Sequence, residues 1–255
     1  MKRRMILYIL VAAVLSTSIT LCGCVEETEN KIIVGTSADY PPFEYVESGK
    51  IVGFDIELIT KLLENLGYTV EVQDIGFDSL VPSLVTGKID VIAAAMTITP
   101  DREEKIDFTD SYYNSNQSIL VQADSDFNIV KDEDLSNLII GAQTGTTGEL
   151  WVFENLINIT NATMTDDQLK RYDTYTLAVL DLDNGNVDAL ILDYPVAESF
   201  AKDEDRKVEY FIPTEEHFGF GVSKGNEELL NGLNEELEEF MGSNEWITLL
   251  NKYFE

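Results

Sequence analysis

Three kinds of apolar run organise this chain. The first is a charge-free stretch over 5–21, preceded by Lys2, Arg3 and Arg4; a basic start before an apolar segment is the pattern of an export signal. The second kind is short and nearly continuous, over 31–36, 68–73, 90–95, 138–142 and 188–192, and predicts strands buried in sheets. The third recurs at helical spacing: Ile56, Ile59, Leu62, Leu63 and Leu66 predict a helix capped by Asp55 and stopped by Gly67. The same reading predicts helices over 78–84, 147–157, 176–184, 226–241 and 245–253, and one more strand over 217–222. Strands alternating with helices predict an α/β fold.

The pattern also repeats weakly. Leu84, Gly87, Ile89, Asp90 and Ile92 are answered, at one constant offset, by Leu182, Gly185, Val187, Asp188 and Leu190. Each set reads as helix, glycine stop and buried strand, which points to paired units; the alternative is convergence on ordinary helix-to-strand grammar.

Composition narrows the function. At 44% hydrophobic and 25% charged residues the chain can bury a core, and no second long apolar run follows the first. The net charge of −30 repels phosphate backbones, so nucleic acid is excluded as a partner. That charge serves solubility or steers cationic solutes, and alone does not choose between them. His217 is the single histidine and no cysteine follows Cys24, so thiol catalysis and most zinc sites lack ligands and no metal or cofactor is implied. A carboxylate acid/base pair stays open among 47 acids.

The segment GFDIEL from Gly53, followed by Leu62 and Leu66, is similar to the signature of the polar amino-acid class of bacterial solute-binding proteins. Four more blocks stand in that family's order: GTSADYPPFEY from Gly35, AAAMTITPDREEKIDFTDSYY from Ala93, GAQTGTTGE from Gly141 and VDALILDYP from Val187. Leu63 departs from the signature, which favours a smaller residue there. Leu21, Cys22, Gly23 and Cys24 resemble a lipobox, which implies a signal over 1–23, a lipid on Cys24 and a tether over 24–30; an uncleaved membrane anchor is the alternative. The resemblance implies a periplasmic-binding-protein fold of two α/β lobes, the first over 31–120 plus 219–255 and the second over 123–215. Its hinges are expected at 119–122 and 215–219. It further implies a monomeric extracytoplasmic receptor, tethered to the membrane, that delivers a free L-amino acid to the permease of an ABC importer.

The same resemblance assigns a site. Arg102 would clamp the ligand's α-carboxylate, helped by Thr97, the backbone at Ala95, and Thr146 and Thr147 at a helix start, where simple N-capping is the other reading. Asp193, at the end of a buried strand, would hold the ammonium or else cap the following helix. Tyr40 and Phe77 would grip the side chain, with Phe43 either beside them or in the core. Ser37, Asp39 and Gln143 sit at positions that vary with ligand identity, with a polar or cationic ligand preferred. A cyclohexadienyl dehydratase on the same fold is the enzymatic rival, and a sensory co-receptor the third reading.

Overall fold

A computed structural model describes residues 30–255; the predicted signal, Cys24 and most of the tether lie outside the described residues. The chain builds two five-stranded sheets of matching design. β1 (Lys31–Thr36) is flanked in parallel by β5 (Thr69–Asp74) and β6 (Val91–Ile92), and β13 (Gly221–Ser223) joins β6 antiparallel, with β7 (Ile106–Phe108) at the edge. In the second sheet β9 (Ile140–Gln143) lies parallel to β10 (Leu169–Tyr172) and β11 (Ala189–Asp193). β8 (Tyr113–Gln122) then runs antiparallel to β11, with β12 (Arg206–Phe218) outside it.

Period-two alternation explains why these strands read as continuous apolar runs. Leu190 and Leu192 face one core cluster while Ala189 and Ile191 face another on the opposite side of the sheet. Ile32 and Val34 likewise enter the first cluster, whereas Ile33 packs against a third. Helices cover the faces: α1 (Phe54–Asn65) and α2 (Phe77–Val85) on the first sheet, and α4 (Thr147–Val152), extended by a π-helical turn over Phe153–Ile157, α5 (Tyr175–Asp183) and α6 (Tyr194–Ala201) on the second. The one-turn α3 (Pro100–Glu103) precedes β7, and α7 (Glu227–Met241) and α8 (Asn244–Phe254) close the chain.

The internal echo has a structural counterpart. Gly87 and Gly185 both take positive φ, at 69° and 70°, where glycine lacks the Cβ penalty. Asp90 then accepts the Ile33 amide at 2.8 Å and Asp188 the Ile139 amide at 2.7 Å. In both units one carboxylate ties the helix-to-strand joint to its neighbouring chain.

Several boundaries differ from expectation. Residues 119–122 are not a hinge: Ile119 and Leu120 pair with β11 on one side and β12 on the other, and Ile119, Leu120 and Val121 are fully buried. The chain passes between sheets earlier, after Phe108, and returns between Phe218 and Gly221. Thr97 bridges Phe218, and Tyr112 N–H donates to the Phe218 carbonyl, so the passages run side by side. The strand expected over 217–222 is therefore two, broken at Gly219. Asp55 does not cap α1, whose N-cap is Gly53; its carboxylate reaches inward instead. A three-stranded sheet of β2 (Asp39–Tyr40), β3 (Glu44–Glu47) and β4 (Lys50–Val52) was not anticipated.

Candidate functional site

The carboxyl ends of β1, β6, β9 and β11 and the starts of the following helices converge on a cavity between the two sheets, where α/β folds hold ligands. It is lined by Ser37, Tyr40, Phe77, Ala95, Thr97, Arg102, Gln143, Thr146, Thr147 and Asp193, all named from sequence, and by Glu44, which was not. Two expected residues stand elsewhere. Phe43 is fully buried with its ring against Phe54, Tyr113, Phe218 and Phe254; it is core, because β3 turns it away from the cleft. Asp39 lies beside the cavity and bonds α5 rather than lining it.

Arg102 is placed by Thr99, the N-cap of α3, whose hydroxyl accepts the Arg102 amide. Its guanidinium lies 5.3 Å from the Phe77 ring centre, a cation–π geometry. Nη1 donates to the Thr97 carbonyl at 2.6 Å and Nη2 to the Gly145 carbonyl at 3.1 Å, which leaves donors of its five N–H groups for an anion. Burial lowers its pKa to about 10, opposed by Glu216 and Asp193, so it stays cationic at neutral pH. Gly145 takes φ +83° and faces the backbone of Asp78, where a Cβ would approach to 3.3 Å; a side chain there would be strained and would crowd the start of α2.

The threonines are more committed than expected. Thr146 is the N-cap of α4, accepting the Glu149 amide and donating to the Gln143 carbonyl. Thr97 and Thr147 both donate to Glu216 Oε2, at 2.5 Å and 2.7 Å, while Gln117 and Thr214 donate to Oε1. Glu216 therefore ties a residue from each side of the cleft. The Ala95 amide, at φ 43°, is also occupied, donating to Asp55 Oδ2, which Tyr112 also bonds. Burial pushes Asp55 up to about 7, eased by those two bonds. Arg102 thus keeps free donors facing the cavity, whereas the Ala95 amide and the threonine hydroxyls are engaged within the protein.

The acids behave differently. Asp193 Oδ2 accepts the Tyr40 hydroxyl at 2.6 Å, and that hydroxyl accepts the Asp193 amide. Asp193 Oδ1 is buried with no close hydrogen bond, Ser115 and Gln117 easing the carboxylate only from farther off, and both carboxylate oxygens of Glu44 are buried without a partner among the described residues. Burial, reinforced by Glu216, raises Asp193 to about 7. Burial first, then Asp55, Asp39 and Asp193, pushes Glu44 well above the usual carboxylate range. Such groups call for a cation. Gln143 and Ser37 join across the cleft at 3.2 Å, and the Tyr40 ring packs at 5.1 Å against Tyr175.

Residues 32–255 match the family model described as bacterial extracellular solute-binding proteins, family 3. The chain belongs to that family. Among relatives of this family-3 solute-binding protein, the arginine-binding extracellular protein ArtP of Bacillus subtilis is 34% identical over 97% of each chain. An ancestral arginine-binding protein bound to arginine superposes with a TM-score of 0.82 at 35% identity, covering 89% of this chain and 99% of its own. An ancestral amino-acid-binding protein described as a precursor of cyclohexadienyl dehydratase superposes at 0.79 with 34% identity, covering 89% and 96%. The two-lobed fold is common to these structures. Among the described residues no helix of this family-3 protein is long and apolar enough to cross a membrane.

Proposed function

We propose that this chain is the substrate-binding lipoprotein of an ABC importer and that its cavity takes an L-amino acid with a cationic side chain, arginine first. One observation carries the ligand class: two buried acids, Glu44 with neither oxygen hydrogen-bonded among the described residues and Asp193 closely bonded through Oδ2 alone, belong to a cavity that also holds Arg102. An amino acid with one carboxylate and two cationic groups matches that array. Arg102 receives the α-carboxylate, Asp193 the α-ammonium and Glu44 the side-chain cation, with Tyr40 and Phe77 as aromatic walls and Ser37 and Gln143 as polar neighbours. The relatives' names point to the same ligand.

In this reading Asp193 and Gln143 stand on the second lobe and Arg102, Tyr40 and Glu44 on the first, so a ligand touching both favours the closed arrangement by its differential affinity. The lobes move as 30–108 plus 221–255 against 113–218, and Cys24 carries the lipid that keeps the receptor beside its permease. The protein acts as a monomeric receptor, with no chemical step.

The test is thermal stabilisation of refolded protein by each of the twenty amino acids, citrulline, prephenate and arogenate. Ligand above its dissociation constant raises the melting temperature. A dominant response to arginine supports the reading. Silence from every amino acid, or turnover of prephenate or arogenate, overturns it.

A further inference from the structure

Asp39 was placed by sequence among the residues that vary with ligand identity, yet its contacts run to the protein. It stands on β2, on the first-sheet side of the cleft. Its Oδ2 accepts the Tyr175 amide of the opposite lobe at 2.5 Å, and the neighbouring Thr176 amide also acts on the carboxylate, holding its pKa down. Its Oδ1 accepts the Ser37 hydroxyl at 3.1 Å. Tyr175 and Thr176 open α5, whose own N-cap, Thr174, accepts only the Leu177 amide. The first amides of a helix have no intrahelical acceptor and carry the positive end of its dipole. Here a carboxylate from across the cleft accepts them.

The contact is tied to the site without being in it. Tyr175 packs its ring, tilted, against Tyr40 and donates its hydroxyl to the Ile191 carbonyl, two residues before Asp193. Ser37, which bonds Asp39, also receives Gln143 from the second lobe. The contacts of Asp39 with Tyr175 and Thr176 are lost or hydrated if the lobes part, whatever solute is bound, while Ser37 stays with it on its own lobe.

We infer that Asp39 is an inter-lobe clasp: by capping α5 from the opposite lobe it sets the balance between closed and open receptor, and so scales the affinity for all ligands by one factor. Apparent affinity falls in proportion to the population of the binding-competent form, so the clasp tunes strength while the cavity residues choose the solute. The clasp is independent of which amino acid is bound, although ligand is used to read it.

The test compares wild type, Asp39→Ala and Asp39→Asn in the full chain, with L-arginine, L-lysine and citrulline titrated by calorimetry and dissociation followed by stopped flow. Asp39→Ala should raise all three dissociation constants by the same factor, about 10-fold to 100-fold, as expected for lost hydrogen bonds to a charged acceptor. The change should sit in the dissociation rate. Asp39→Asn, which keeps a carbonyl acceptor, should recover part of it. Hydrogen exchange of the ligand-free chain is read in parallel: amides 175 and 176 should exchange faster in Asp39→Ala while β9 and β11 stay protected. Unequal factors for arginine and citrulline would make Asp39 a specificity residue and overturn the proposal. Unchanged exchange at 175 and 176 would overturn it too, and that readout stands even if none of the three solutes binds.

Discussion

Replacing Glu44 with glutamine tests the ligand assignment most directly, because it removes charge while keeping size and one acceptor oxygen. Glu44 is 1% exposed, neither oxygen has a partner among the described residues, and the charged groups that shift it are acids. If it meets the side-chain cation of the solute, it forms one half of a buried charge pair. Truncating such a pair costs about 2–5 kcal/mol. Glutamine retains a carbonyl, so the lower half of that range applies, and the arginine dissociation constant should rise about 30-fold to 300-fold. Citrulline, the neutral counterpart of arginine, should lose less than about fivefold. Calorimetry of both solutes at pH 8 gives the ratio. The ligand-free protein should respond oppositely. A carboxylate whose folded pKa is raised stabilises the fold fully only below its unfolded value of about 4 and loses that stability as pH rises. Glu44→Gln should therefore melt higher than wild type at pH 8, and the gap should close toward pH 4. An arginine-to-citrulline ratio within about threefold of wild type would refute the pairing.

Other expectations follow from the same geometry. Arg102→Lys keeps a charge but loses the fork to the Thr97 and Gly145 carbonyls; arginine should bind about 10-fold to 100-fold more weakly by calorimetry, and Arg102→Ala should abolish binding. Asp193 sits near 7 without an ammonium and ionised with one, so binding expels a proton below that pH. Glu44, whose carboxyl is also raised, must ionise as well, so arginine affinity should fall as pH drops below 7 by up to about tenfold per pH unit for each acid, with a shallower profile in Asp193→Asn. Phe43→Ala should cost about 3–5 kcal/mol of stability in a denaturant melt while leaving the arginine-to-citrulline ratio unchanged, since its ring meets core aromatics.

The elements that bury one regular face were the most legible, whereas the two longest strands, β8 and β12, were not predicted. β1 spans Lys31–Thr36 and α7 ends at Met241, as periodicity predicts, because each buries a regular face. Short pieces were not: β2 is two residues long, too short for any period to register. The hinge was misplaced for a related reason, since the apolar run at 119–121 names a buried strand but cannot say which sheet buries it. In the site, Arg102 and Asp193 were legible through motif resemblance. Glu44 was missed because an acid after Pro41, Pro42 and Phe43 reads as solvated loop. No alternation marked it either, since along β3 only Glu44 is buried and Val46, on the same face, is 55% exposed. Asp55, flanked by buried Phe54 and Ile56 in the first turn of α1, was read as a cap for want of any sequence sign of Ala95 and Tyr112.

The position of β13 has a consequence for how the molecule is made. It is among the last strands to leave the ribosome, yet it sits inside the first sheet, between β6 and β7. Until residues 221–223 arrive, β7 has no partner in that sheet and the face under α7 and α8 is uncovered. The second sheet, by contrast, draws all five strands from one uninterrupted stretch between Tyr113 and Phe218. Synthesis from the N-terminus therefore delivers the half begun later as the first complete half, and leaves the earlier one open until the tail closes it.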